Sequence, residues 1–180
     1  VQFQVQEELP TVDIGDRAPA SDTPTAADVG GDLKQLSTDL NPEPSFYELS
    51  VKDALAQKRP FVLIFATPAF CTSAQCGPTL ERMKEIAAAA PDDIAFINVE
   101  PYQLAFADGR LQPVLDPNGQ LQAAPWTDEW GTLSEPWVFA VDGETGALHM
   151  RYTARTKSIE WSADPTVRAA AECLTHVLAG

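Results

Sequence analysis

The sequence predicts an α/β domain whose mixed sheet is covered by helices on both faces. A continuous apolar run, Phe61–Phe65, has the pattern of a central strand buried on both sides, and residues 94–99, apolar except for Asn98, read as a second central strand. A helix-spaced segment lies between them, as a parallel crossover requires. A third run, Trp137–Val141, leads through Asp142-Gly143-Glu144-Thr145-Gly146 into a returning apolar segment, the pattern of a hairpin.

The opening Val1-Gln2-Phe3-Gln4-Val5-Gln6 alternates apolar and polar residues and predicts a half-buried strand. Phe46-Tyr47-Glu48-Leu49 predicts a short strand, and Ser50 is a good N-cap for a helix over 51–57. The helix after the first central strand is expected over 73–90, where Leu80, Met83, Ile86 and the alanines 87–90 keep helical spacing up to Pro91. Residues 101–134 read as a long loop, broken by Pro113, Pro117, Gly119 and Pro125. Residues 147–153 return as the hairpin partner. A closing helix over 165–179 gathers Val167, Ala170, Ala171, Leu174, Val177 and Leu178 on one face.

Charge divides the chain. Of 180 residues, 12 are Lys or Arg and 26 Asp or Glu, a net charge of −14. Residues 1–45 hold nine of the acids against two bases, Arg17 and Lys34, together with five prolines. They read as an acidic Pro/Gly-rich arm preceding a domain over 46–180. So acidic a chain is a poor partner for nucleic acid or anionic lipid, whose phosphates demand a basic surface. No apolar run approaches the ~20 residues of a membrane span. The first residue is Val1 and no signal-like segment follows it, which is read as a removed targeting segment or a trimmed start.

Three cysteines are too few for a disulfide scaffold, but Cys71 and Cys76 lie close together between a central strand and a helix. A thiol there meets the unpaired N–H groups and positive dipole end of the helix, which favour the reactive thiolate. On an intact helix, positions five apart are ~8.6 Å distant, beyond the ~7 Å that a disulfide spans. Gly77-Pro78 weakens the first turn, so a loop-like or locally unwinding segment is expected in which the sulfurs can meet. Two separate buried thiols remain the plainer alternative. Cys173, near the apolar face of the last helix, reads as a core residue.

The cysteine segment with Gly77-Pro78, and Ser134-Glu135-Pro136 ahead of the third strand, resemble the thioredoxin-like superfamily. The nearest branch is that of the exported TlpA/ResA-type thiol–disulfide oxidoreductases. Gly15-Asp16-Arg17-Ala18-Pro19 resembles the Gly-Asp-x-Ala-Pro segment before that family's first strand, and Trp130-Gly131 its aromatic-Gly segment. The resemblance implies a three-layer α/β/α sandwich with a C-terminal hairpin and closing helix. It implies a nucleophilic Cys71, a resolving Cys76, a cis Pro136 opposite them, and a client-docking edge formed by Pro136, Glu135, Phe70 and Trp130. Partners would be protein thiols or disulfides, the location extracytoplasmic with room for an anchor ahead of Val1, and no metal or organic cofactor would be needed. The spacing of four residues between the cysteines exceeds the family's two. Phe61–Phe65 also lacks the family's carboxylate beneath the site, leaving Glu135 as the nearest acid, whose charge would raise a thiol pKa.

Three other readings stay open. The cysteine spacing is similar to that of bacterioferritin-comigratory-type peroxiredoxins, although Pro68 stands where they carry threonine, with Thr67 one residue off. A Sco-type copper chaperone would use both thiolates and a histidine, but His149 and His176 lie away from the expected ligand loop and read as ordinary surface or packed residues. A non-catalytic thioredoxin-fold domain would keep the pair as a structural disulfide and dock partners through Trp126 and Trp130.

Overall fold

Phe61–Phe65 (β1) is buried along its whole length because strands flank both its edges and a core covers each of its faces. It pairs in parallel with Ala95–Val99 (β2), Phe65 beside Val99, and antiparallel with Trp137–Val141 (β5), Phe65 beside Trp137. Leu148–Thr153 (β6) and Ser158–Trp161 (β7) extend the sheet as a meander in the order β2-β1-β5-β6-β7. The computed structural model describes residues 10–71, 73–132, 135–154 and 156–162. The expected opening strand, the closing helix over 165–179, Cys173 and His176 lie outside the described residues.

Strand periodicity sends alternate side chains to opposite faces. Phe61, Leu63 and Phe65 share one core with Ile97, Val99, Phe139 and Trp130, covered by Val51–Ala56 (α1) and by Val12, Ile14 and Ala18. Val62 and Ile64 share the other with Phe96, Val138 and Met150, covered by Leu80 and Met83 of Cys76–Ala89 (α2) and by Phe46 and Tyr47. The chain is therefore a mixed α/β fold with helical cover on both faces. Ser50 caps α1 as expected, its Oγ accepting from Asp53 N at 3.0 Å. Among the described residues no helix is long and apolar enough to cross a membrane.

The acidic segment packs on this frame. Gly15 N and Leu148 N exchange hydrogen bonds with Leu148 O and Asp16 O, and Arg17 bridges to Ala147. Arg151 on β6, almost fully buried, donates to Asp13 Oδ1 (2.7 Å), Val12 O (3.0 Å) and Glu160 Oε2 (2.7 Å), joining the segment to β6 and β7. A buried guanidinium needs such partners on every side.

Four local expectations are corrected. Residues 46–49 are not a strand: Pro44–Tyr47 forms a 3₁₀ turn, with Pro44 supplying helical φ at its first position and Glu43 accepting from Ser45 N. The helix expected from residue 73 begins at Cys76, because Ala74 adopts a left-handed φ of 57°. Gly77 and Pro78 lie inside its first turn, where proline's missing N–H is an unpaired position anyway. The loop over 101–134 contains a hairpin, Leu104–Ala107 (β3) with Arg110–Pro113 (β4), and a short helix, Pro125–Glu129 (α3). Asp108-Gly109, with φ of 53° and 76°, makes the tight turn between β3 and β4.

Candidate active site

The C-terminal ends of β1 and β2 and the N-terminal end of β5 meet at one edge of the sheet. From β1 the chain runs through Ala66-Thr67-Pro68-Ala69-Phe70 to Cys71, then turns back at Ala74 into α2. That loop-like reversal, ahead of an intact first turn of α2, brings Cys71 and Cys76 together: their Cα atoms are 6.0 Å apart and the sulfurs form a disulfide. Cys76 is fully buried as the first residue of α2, whereas Cys71 is half-buried. Cys76 N donates to Cys71 Sγ at 3.3 Å, so the sulfur nearest solvent receives the first N–H of the helix. Ser73 Oγ lies 3.3 Å from the same sulfur and donates to Glu135 O at 3.4 Å, bridging the cysteine loop to the segment before β5.

On that facing segment, the Glu135–Pro136 peptide is cis, as the resemblance implied, and both residues are buried. Cys71 Sγ, Cys76 Sγ and a carboxylate oxygen of Glu135 lie within 4.8 Å of one another. Tyr102 Oη donates to Glu135 Oε2 at 2.7 Å. Burial and the facing Glu135 push the Tyr102 hydroxyl well above its ordinary range, so it stays a donor and holds the carboxylate. No histidine joins the cysteines among the described residues.

Phe70, half-buried, lines a cleft of about 580 Å³ with Lys34, Asp39, Leu40, Arg110 and Leu111. The cleft lies between the acidic segment and the β3–β4 hairpin, immediately before Cys71 in the chain. Trp130 is elsewhere. It is fully buried in the core, 4.8 Å from Phe139 and 6.1 Å from Phe65 between ring centroids, with Nε1 donating to Ser21 Oγ at 3.1 Å. The expectation that Trp130 faces a client is therefore corrected: an indole closed in by two rings has no face to offer.

Two residues of this edge escaped sequence reasoning. Tyr102 had no motif to announce it. Glu100 directly follows the apolar β2, and its position beyond a central strand was the available signal. It is 5 % exposed; Oε1 accepts from Thr38 N at 2.6 Å, and Oε2 is buried without a hydrogen bond. Burial raises its pKa to about 7, the adjacent Thr67 hydroxyl and then Thr38 opposing the rise and the nearby Asp39 adding to it. Thr67 Oγ1 lies against this carboxyl, where a protonated Oε2 donates to it.

The folded carboxyl therefore holds its proton more tightly than the unfolded chain, whose ordinary value is 4.5. Its stabilising contribution is fully present below about pH 4.5 and is lost as pH rises through about 7. Glu100→Gln is expected to remove this loss and to exceed the parent in stability near pH 8 by on the order of 1–3 kcal/mol. Thermal melts of both chains across pH 4 to 8 check it, and parallel curves would refute it.

Compared with known protein families, curated proteins and solved structures, the chain matches none.

Proposed function

We propose that the chain is a thioredoxin-like thiol–disulfide oxidoreductase acting on protein clients through Cys71 and Cys76. The observation that carries the reading is the asymmetric disulfide, with one sulfur half-buried and hydrogen-bonded by the first N–H of α2 and the other sealed beneath it. An outer sulfur so placed is a good leaving group and, once reduced, a stabilised thiolate. The opposed Glu135-Pro136 and the adjoining cleft support the docking of an extended client segment.

As an oxidant of client disulfides' precursors, the chain works in two steps. A client thiolate attacks Cys71 Sγ, the Cys71–Cys76 bond breaks, and Cys76 leaves as a thiolate. A second client thiolate then attacks the client sulfur of the mixed disulfide and expels Cys71 as a thiolate. The client is oxidised by two electrons and the pair reduced by two; the reverse sequence reduces a client disulfide. An oxidising, extracytoplasmic location belongs to the same proposal, since disulfides persist there.

The test is the midpoint potential of the pair, read by equilibration in graded thiol buffers, alkylation and mass counting. Reversible two-electron cycling at roughly −120 to −270 mV is expected. A bond that opens only below about −300 mV, as structural disulfides do, overturns the proposal.

A further inference from the structure

Glu135 places a buried carboxylate beside both sulfurs. Two donors on one zinc ion, with Zn–S near 2.3 Å, are about 3.8 Å apart in a tetrahedron and at most about 4.6 Å apart. The two sulfurs and a carboxylate oxygen already lie within 4.8 Å of one another, so shifts on the order of 1 Å would bring them onto a single ion. The carboxylate is 5 % exposed and is oriented by Tyr102, whose hydroxyl donates to Oε2 at 2.7 Å. Metal-binding carboxylates are commonly held by such an outer partner.

We infer that the reduced chain binds Zn²⁺ through Cys71 Sγ, Cys76 Sγ and a carboxylate oxygen of Glu135. The donor set selects the ion. Mg²⁺ and Ca²⁺ need six or more oxygens, and two thiolates do not provide them. Cu⁺ suits thiolates, but two thiolates and a carboxylate carry three negative charges, leaving two uncancelled by Cu⁺ and one by Zn²⁺. In a largely buried site the smaller residue of charge is favoured. Three protein donors leave a fourth position for water or a client group, as in zinc sites that keep an open coordination place.

Binding is gated by oxidation state. The disulfide has no thiolate to offer, so only the opened pair coordinates, releasing the two thiol protons to solvent. The inference rests on the pair opening, not on its exchange with clients. Zinc and the disulfide exclude each other, and because only the reduced pair binds, each tenfold rise in free Zn²⁺ above its Kd raises the pair's apparent midpoint by about 30 mV.

The experiment uses the full chain, reduced with a phosphine and desalted without oxygen, and titrated with Zn²⁺ against a chromophoric chelator. Co²⁺ serves as the spectroscopic probe. One ion per reduced chain and a thiolate-to-cobalt charge-transfer band are expected, with neither in the disulfide form. Glu135→Gln, which keeps an acceptor for Tyr102, is expected to weaken Zn²⁺ binding by at least about tenfold. If Glu135→Gln does not fold, Glu135→Asp takes its place with the same expected loss. The inference is overturned if the reduced chain takes up no Zn²⁺, if the disulfide form takes up as much, or if the Glu135 variant binds as tightly as the parent. Cycling in thiol buffers with a chelator present separates the two proposals: cycling without zinc uptake sinks this one alone, and zinc uptake without cycling sinks the exchange reading alone.

Discussion

Cys71→Ser is expected to reduce disulfide exchange to the uncatalysed rate, while Cys76→Ser keeps the first half of the reaction and accumulates a mixed disulfide with the client. The asymmetry follows from burial. A client sulfur must approach in line with the bond it breaks, and only Cys71 has solvent on one side; Cys76 is sealed by the core that α2 packs on. The Cys76 N–H donates to Cys71 Sγ from the backbone, so it survives replacement of the Cys76 side chain and still favours a Cys71 thiolate. Without the Cys76 thiol, no other thiol among the described residues displaces the client from Cys71. Mass spectrometry of acid-quenched mixtures with a disulfide-bonded client checks both variants. A mixed disulfide on Cys71→Ser, with none on Cys76→Ser, would reverse the assigned roles.

Trp130→Ala is expected to destabilise the fold by about 3–5 kcal/mol, the range for truncating a fully buried aromatic. The indole fills the space between Phe65, at the end of β1, and Phe139 on β5, and its loss leaves a cavity that these rings cannot close without moving strands. Ser21 Oγ loses its indole donor as well, which loosens the acidic segment from the core. Gly131, at a φ of 61°, limits relaxation, since its missing side chain lets Pro10 O approach to within 1.9 Å of where a Cβ would stand. Urea unfolding checks the prediction, with the midpoint falling by more than about 1 M. A client-facing Trp130 would do the reverse, raising KM and leaving the midpoint in place.

The strands that touch the site were legible because each is an apolar run, broken only by Asn98 in β2: β1, β2 and β5 announce burial on both faces through composition. The helical N-cap at Ser50 was legible for the same local reason. What was not legible depends on contacts distant in sequence or on backbone geometry. Phe46-Tyr47 has strand-forming residues but follows a proline that starts a 3₁₀ turn, and the turn chemistry prevailed. Asp108-Gly109 between short apolar stretches is a strong hairpin signal that the surrounding prolines obscured. Apolar character alone does not say whether Trp130 lines a surface or a core; its neighbours Ser21, Phe65 and Phe139 are at least nine residues away in sequence, and two are more than sixty. Glu100 and Glu135 are ordinary acids in the sequence and become unusual only where residues 37–39, Thr67, Tyr102 and the cysteine loop enclose them.

The pairing of β1 with β5 has a consequence for the order in which the molecule is made. β1, α2 and β2 form a crossover unit from neighbouring sequence, and β5, β6 and β7 form a meander by short reversals. These two assemblies can each gain structure from nearby contacts, whereas the seam between them joins Phe65 to Trp137 across a long intervening segment and closes at greater entropic cost. The cysteines belong to the first assembly and Glu135-Pro136 to the second. A nascent chain therefore carries its sulfurs long before it carries the wall that faces them, and the two sides of this edge meet only when the seam between β1 and β5 closes.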